Sequence, residues 1–249
     1  MDPDAYVAVD VVIGPWCEIG PQVEIGKGTQ IDSHCVIKGP TRIGDNNHFY
    51  SHSVIGEDSQ DKKFVGEEAR LEIGDRNVVR EFCTFNRGTG QGGGLTRIGH
   101  DNWIMAYCHV AHDCSVGSNI VMANNATLAG HVTVENHVIL GAFTVVHQFC
   151  SLGAHSFSAL GSIIFKDVPP YLLVAGNTAE PHGLNVEGLR RRGFTGSEIQ
   201  WLKRAYKVVY RKGLTVEAAL GELRKIEAEC KHVCSFVEFI RKSQRGIVR

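Results

Sequence analysis

The sequence predicts a parallel β-helix followed by a small helical domain, and three observations carry that prediction. An aliphatic or large apolar residue recurs at almost every sixth position from Val7 to Ile164. That recurrence fits neither a helical period nor the alternation of an ordinary strand. Its register breaks at a charged stretch and at a glycine-rich one, and after Asp167-Val168-Pro169-Pro170 the apolar spacing becomes helical.

The repeat opens with Val7, Ile13, Ile19, Ile25, Ile31, Ile37, Ile43, Phe49 and Ile55, and continues at Ile73, Val79 and Phe85. It resumes at Ile98, Ile104, Val110, Val116, Met122, Leu128, Val134, Leu140, Val146 and Leu152, and Ser158 is a lapse before Ile164. A hexapeptide repeat builds a triangular coil from three hexads, so residues three hexads apart lie one above the other at about 4.8 Å, the spacing of adjacent strands. Each coil then supplies the hydrogen-bonding partner of the next, and the stack is stable only as an array. A series of antiparallel strands would need recurrent hairpin turn pairs, which are not regular here. Glycine often follows the apolar residue, as in Ile25-Gly26, Ile43-Gly44, Val116-Gly117 and Leu152-Gly153. This predicts a corner that needs glycine's conformational freedom. Spacing leaves the handedness of the coil open.

Cys17, Cys35, Cys83, Cys108, Cys114 and Cys150 all fall two residues before a repeat apolar residue, where other hexads place valine, threonine or alanine. They read as compact core fillers, with no Cys-x-x-Cys pairs to suggest zinc or redox chemistry. Cys17 and Cys35 lie one coil apart, and a reducing compartment would leave them unbridged.

Two stretches break the register. Asp61 and Glu67 occupy hexad positions inside the charged run from Glu57 to Glu68, and the spacing from Phe85 to Ile98 is one residue too long, across Arg87-Gly88-Thr89-Gly90-Gln91-Gly92-Gly93-Gly94. Both predict loops thrown out of the coil, near 57–72 and 87–96, and loops on a rigid scaffold commonly carry binding groups. The two prolines at Pro169-Pro170 are expected to end strand pairing. This divides the chain into a β-helix over 1–170 and a linker with a helical domain over 171–249. In the second part, Thr195 and Glu198 form a capping-box signal ahead of Ile199, Leu202, Ala205, Tyr206 and Val209, with Gly213 as the stop. A second helix follows Thr215 with Ala219, Leu220, Leu223 and Ile226, and a third carries Val233, Phe236, Val237 and Ile240.

A formal charge of −1 and a pI near 6.9 give no reason to expect nucleic acid, although Arg190-Arg191-Arg192 could meet a phosphate locally. The start of the chain lacks the basic and apolar regions of a signal peptide, and no apolar run approaches the ~20 residues of a membrane span. The expectation is a soluble cytoplasmic protein without stable membrane insertion.

Histidines concentrate in the later coils at His109, His112, His131 and His147. Gly130 lies three hexads after His112, and His131 three hexads after Asp113, so each pair should stack. An imidazole beside a stacked backbone amide combines a general base with an oxyanion donor, the two requirements of acyl transfer to a hydroxyl. No serine or cysteine nucleophile elbow accompanies them, which favours direct transfer over a covalent intermediate. Two further readings remain open on spacing alone: outward polar residues of the coil, and a histidine zinc site activating water.

The stretches His109-Val110-Ala111-His112-Asp113-Cys114, Ala123 to His131, Val146-His147-Gln148-Phe149 and Asn185 to Phe194 resemble the hexapeptide-repeat UDP-N-acetylglucosamine O-acyltransferases of lipid A biosynthesis. The similarity runs nearly end to end and includes the Gln91-Gly92-Gly93-Gly94 loop. It implies a left-handed coil, a homotrimer with active sites between subunits, and transfer of a 3-hydroxyacyl group from acyl carrier protein to the 3-hydroxyl of UDP-N-acetylglucosamine. No cofactor or metal is implied beyond the phosphopantetheine that the donor carries. On the matching positions, His112 is the base, Asp113 its orienting partner and the Gly130 amide the oxyanion donor. Asp61 and Lys63 would reach the acceptor sugar, and His109, His131, His147 and Gln148 would line the site. Asn185, Glu187 and Arg191 would contact the nucleotide or the donor's arm.

Two departures stand out. Phe85-Asn86-Arg87-Gly88 replaces the family's Ile-His-Arg-Gly, and Leu160 replaces a glycine that lines the acyl groove in long-chain members. The second predicts a shorter, 3-hydroxydecanoyl donor. The sister N-acyltransferases resemble this chain in their repeats but carry a uridine-binding domain for which there is no room before Val7. A zinc carbonic anhydrase on the same coil would bind metal at its histidines, and a purely structural β-helix would need neither the histidine cluster nor the charged excursion loop.

Overall fold

The computed structural model describes residues 1–249, and its first two thirds form a left-handed parallel β-helix of three sheets with eight, ten and eight strands. The first face is built from strands such as Tyr6–Val7, Val23–Ile25 and Ser115–Val116, the second from Val12–Ile13, Trp103–Ile104 and Phe157–Ser158, and the third from Glu18–Ile19, Thr84–Asn86 and His109–Val110. Strand partners follow the predicted three-hexad register, as in Val7 opposite Ile25, Ile13 opposite Ile31 and Val110 opposite Leu128. The repeat residues point into the prism, where Ile25, Ile31, Phe49, Ile55, Phe85 and Val110 are at most 1% exposed. Polar stitching accompanies them at one edge, where buried Asn47, Asn77 and Asn102 each receive the amide of the coil above.

Most corners turn through a left-handed residue three positions after the apolar one. The series His34, Asn46, His52, Arg76, Phe82, Asp101, Tyr107, Asp113, Asn119, Asn125, His131, His137 has φ between 56° and 65°. Asn, Asp and His tolerate this region better than most residues. The glycine that follows the apolar residue therefore has a different reason from the one its sequence position suggests. Gly26, Gly44, Gly117 and Gly153 do not adopt positive φ. A Cβ at these positions would lie within 2.6 Å of the next coil, on Asp45, Asp75, Asn136 and Pro170 respectively. Close vertical approach, not backbone freedom, selects glycine there.

All eight cysteines are free thiols. Cys35, Cys83, Cys108 and Cys114 donate to the carbonyls of Tyr50, Met105, Ala123 and Ala129 in the coil above. Burial pushes the Cys35 and Cys150 thiols up to about 11 and Cys114 up to about 12, which keeps them protonated and unreactive.

Pairing does not end at the two prolines. Leu172–Ala175 continues the second face beside Phe157–Ser158, and Glu180–Leu184 adds to it antiparallel. Prolines are tolerated here because they occupy a corner rather than the ladder. The region expected as a linker is thus a β-hairpin that joins the coil to four helices: α1 (Val186–Arg191), α2 (Gly196–Arg211), α3 (Val216–Leu223) and α4 (Lys231–Lys242). Only α1 lacks a counterpart in the apolar spacing. Thr195 and Glu198 cap α2 reciprocally, and Leu202, Val209, Phe236 and Val237 close the core of the helical part. Asp167 fastens it to the coil by accepting from Ser151 N and the Ser243 hydroxyl. No helix is long and apolar enough to cross a membrane.

Candidate active site

Both register breaks leave from the same edge of the prism, between the third and first faces. The first runs from the end of Val54–Glu57 to Arg70, and the second from the end of Thr84–Asn86 to Leu95. The next coils place His112-Asp113, then Gly130-His131, then Gln148-Phe149 at that edge, because each lies between a third-face and a first-face strand. The hexad register therefore gathers His109, His112, Asp113, Gly130, His131, His147 and Gln148 along one edge, and the first excursion, which carries Asp61 and Lys63, leaves the coil from the same edge.

At its centre His112 Nδ1 lies 2.8 Å from Asp113 Oδ2. The carboxylate side chain is 1% exposed and the imidazole 13%. Asp113 turns the corner with φ 58°, and its amide donates to the Thr96 hydroxyl. The carboxylate also takes two hydrogen bonds from Thr89 in the glycine-rich loop: the amide to Oδ1 at 2.9 Å and the hydroxyl to Oδ2 at 2.7 Å. Nδ1 is thus the donor to the carboxylate, and Nε2 is the ring atom left to receive a proton.

Gly130 stacks directly over this ring. A Cβ at Gly130 would stand 2.5 Å from His112 Cε1 and 2.6 Å from Nε2. Along the edge between the first and second faces, the amide in the equivalent position is consumed by a side chain of the next coil: Lys27 N by Asp45, Asp45 N by Asp75, Asp75 N by His100, His100 N by Ser118 and Ser118 N by Asn136. The Gly130 amide has no such acceptor within the chain. It is a free donor beside a free imidazole nitrogen, the geometry that stabilises an oxyanion as a proton is removed.

His131 lies 3.8 Å from Asp113 Oδ2 and stacks on Phe149 at 4.4 Å. Burial holds His131 below the ordinary imidazole range, against the pull of the Asp113 and Asp61 carboxylates. Burial also lowers His109, whose Nδ1 lies 2.7 Å from the Thr84 hydroxyl. In both, burial disfavours the charged form of the ring. Asp61 and Lys63 are exposed on the first excursion loop, where Asp61 accepts from the Lys63 amide. His147 Nδ1 lies 3.1 Å from the Gln148 carbonyl.

Four predicted residues lie elsewhere. Asn185 caps α1 by accepting from Gly188 N and donates to the His155 carbonyl, on the edge between the first and second faces. Glu187 and Arg191 pair with each other on the exposed face of α1. Leu160 stands on the edge between the second and third faces and is 71% exposed. Asn86 is buried and fastens the root of the first loop by donating to the Asp58 carbonyl at 2.7 Å. The adjoining Arg87 pairs with Asp58 and donates to the Gly39 carbonyl. Thr84, Thr89 and Thr96 are not legible as site residues in the sequence; only the register break around Thr89 marks its loop.

His112, Asp113 and His131 also place three donor atoms within 4.8 Å of one another, near enough for one metal ion. The carboxylate, however, already accepts from Thr89 twice and from His112 once. Those three bonds occupy most of the carboxylate's acceptor positions, and a metal ion would compete with them. A cavity of about 530 Å³ lies between the first face and α4 and shares only Phe149 with this column.

Comparison with known proteins gives concordant matches. Residues 167–248 match the family model described as UDP-N-acetylglucosamine O-acyltransferase, domain 2, and residues 22–56 and 95–130 match the bacterial transferase hexapeptide model. An acyl-[acyl-carrier-protein]–UDP-N-acetylglucosamine O-acyltransferase of Stutzerimonas stutzeri is 53% identical, with 100% of this chain and 96% of the relative covered. The protein of the same name from Thiobacillus denitrificans is 52% identical over 99% of this chain and 96% of its own length. Among solved structures, the UDP-N-acetylglucosamine O-acyltransferase of Moraxella catarrhalis superposes with a TM-score of 0.97 at 44% identity, covering 100% of this chain and 96% of that one. The Francisella novicida UDP-N-acetylglucosamine acyltransferase gives 0.97 at 41% identity, with 100% and 91% covered.

Proposed function

The chain belongs to the acyl-[acyl-carrier-protein]–UDP-N-acetylglucosamine O-acyltransferase family, and from that membership we propose that it moves a 3-hydroxyacyl chain from acyl carrier protein to the 3-hydroxyl of UDP-N-acetylglucosamine, opening lipid A biosynthesis in the cytoplasm. It is an acyltransferase of the hexapeptide-repeat class. The observation that carries the mechanism is the His112 imidazole, bonded to a buried carboxylate on one side and covered by the unused Gly130 amide on the other.

His112 Nε2 takes the proton of the sugar hydroxyl as its oxygen attacks the thioester carbonyl. The new C–O bond forms, the carbonyl oxygen takes up the displaced electron pair, and the Gly130 N–H stabilises it. Collapse of the tetrahedral species breaks the C–S bond, and the proton held by His112 passes to the departing thiolate. Asp113 holds the imidazole in the required tautomer throughout. Asp61, an exposed carboxylate on the first excursion loop, is read as a group that accepts a hydrogen bond from the acceptor sugar. The product is then an alkali-labile ester.

Asn185, Glu187, Arg191 and Leu160 occupy the two other edges of the prism, out of reach of the His112 column in a single copy. A homotrimer in which one copy's His112 edge faces another edge of its neighbour would bring them to the site, and we take this as the assembly. There Leu160 would close the acyl groove early. We expect 3-hydroxydecanoyl-acyl carrier protein to be used ahead of the 3-hydroxymyristoyl donor. Leu160→Gly should move the preference toward the longer chain, each misfit methylene being worth about 1–3 kcal/mol. A ladder of 3-hydroxyacyl donors, with the alkali lability of the product scored, tests both points. An alkali-stable product would sink the O-acyl reading, and equal rates on both donors would remove Leu160 as the stop.

Transfer is further proposed to need no metal. Dialysis of the trimer against a strong chelator should leave its rate unchanged. Loss of activity that zinc restores would instead assign His112, Asp113 and His131 to a coordination site.

A further inference from the structure

We propose that Thr89, in the glycine-rich excursion loop, is a positioning residue for transfer: it fixes the plane of the Asp113 carboxylate and so the direction in which His112 is held. The inference rests on His112 as the base.

A carboxylate that accepts one hydrogen bond from an imidazole can still rotate about its last torsion, which is broad and roughly two-fold. Asp113 is denied that freedom by one residue. The Thr89 amide engages Oδ1 and the Thr89 hydroxyl engages Oδ2, the oxygen that also accepts from His112 Nδ1. The hydroxyl's single proton is committed to Asp113, and its oxygen also accepts from the Gly92 amide at 3.1 Å. That second bond closes the tight turn Gly90–Gly92, for which Thr89 is the N-cap.

The loop around Thr89 is shaped to the carboxylate. A Cβ on Gly92 would lie 2.1 Å from Asp113 Cγ, and one on Gly88 2.8 Å from Oδ1. Side chains are excluded so that backbone can cover the acid, which leaves it 1% exposed. Water is thereby kept from competing for Oδ1 and Oδ2, and Thr89 replaces it with donors whose positions are set in advance.

The loop is braced from below by the excursion that bears Asp61 and Lys63. Glu67 accepts from the Gly90 amide at 3.2 Å and from the Val65 amide at 2.9 Å. A continuous series of bonds thus joins the proposed acceptor loop to the base, through Glu67, the Gly90 turn, Thr89 and Asp113.

Thr89→Val keeps the side-chain volume and the backbone donor but removes the hydroxyl, and Thr89→Ser keeps the hydroxyl. Loss of a hydrogen bond to a charged acceptor predicts a fall in kcat of about 10- to 100-fold for Thr89→Val. KM for both substrates and the oligomeric state should stay unchanged, the melting temperature should fall only by what loss of a cap and one hydrogen bond requires, and Thr89→Ser should recover most of the rate. In an Asp113→Asn background, Thr89→Val should cost little more, because the two residues act as a unit. Penalties that multiply in the double variant would show that Thr89→Val acts by loosening the loop, and would overturn the inference. So would full turnover by Thr89→Val while His112→Ala is inactive. Activity retained in His112→Ala would instead overturn the base assignment on which the inference stands.

Discussion

His112→Ala is expected to lower kcat by about 10²–10⁴-fold, the usual cost of losing a positioned general base, while leaving assembly and melting temperature intact. The ring is partly exposed and stands outside the packed prism, so its removal opens no core cavity. Its one hydrogen-bond partner, Asp113, retains both donors from Thr89 and is not stranded without partners. Asp113→Asn should cost less than His112→Ala, because the amide can still hold the ring in place although it cannot balance the positive charge that forms on it. Steady-state rates on the same acyl donor order the two variants. A larger loss from Asp113→Asn than from His112→Ala would reverse their roles.

Gly130→Ala should be nearly as damaging, for a reason that is wholly steric. Gly130 does not require a left-handed backbone, so alanine is permitted conformationally. Its methyl group would nevertheless enter the His112 ring, 2.5 Å from Cε1 and 2.6 Å from Nε2. Separations that short oblige the imidazole to move, and the methyl would also stand where the reacting carbonyl must approach the Gly130 amide. Loss of an oxyanion donor alone costs about 10²–10³-fold in kcat, and displacement of the base adds to it. A Gly130→Ala protein that melts normally and turns over at the wild-type rate would remove both the amide and the close stacking from the mechanism.

The parts of this site that can be read from sequence are those governed by the repeat. Inward positions must be apolar, so the hexad register is written in Ile25, Val110 and Leu128, and it fixes which residues stack. Gly130 over His112 and His131 over Asp113 follow from counting. The excursion loops are visible because charged and glycine-rich residues cannot fill an inward position. Their destinations are not visible. Thr89 reaches Asp113 from a different coil, along a path set by how the Gly90–Gly92 turn folds back, and no fixed sequence interval encodes that path. Thr84 meets His109 across the same irregular stretch, where partners are 25 residues apart (109 − 84) rather than three hexads. The glycines after the apolar positions are legible as special, but spacing cannot distinguish backbone freedom from close approach. Asn185 shows the converse limit: a family motif singles it out as a candidate, while the structure shows its side chain capping α1.

A coil that bonds only to the coils above and below it tolerates additions locally. The first excursion lengthens the interval between vertical partners to 30 residues, from Val54 to Thr84 (84 − 54). That is less than a doubling of the three-hexad interval, and a doubling costs only about 0.6 kcal/mol in loop-closure entropy. The rungs on either side keep their alignment, so an insertion at this edge does not propagate into the prism. Such an architecture is evolvable in a particular way. Segments that carry recognition groups can be lengthened, shortened or exchanged one corner at a time while the rungs that bear His112 and Gly130 keep their places, provided the Thr89 turn that meets Asp113 is left intact.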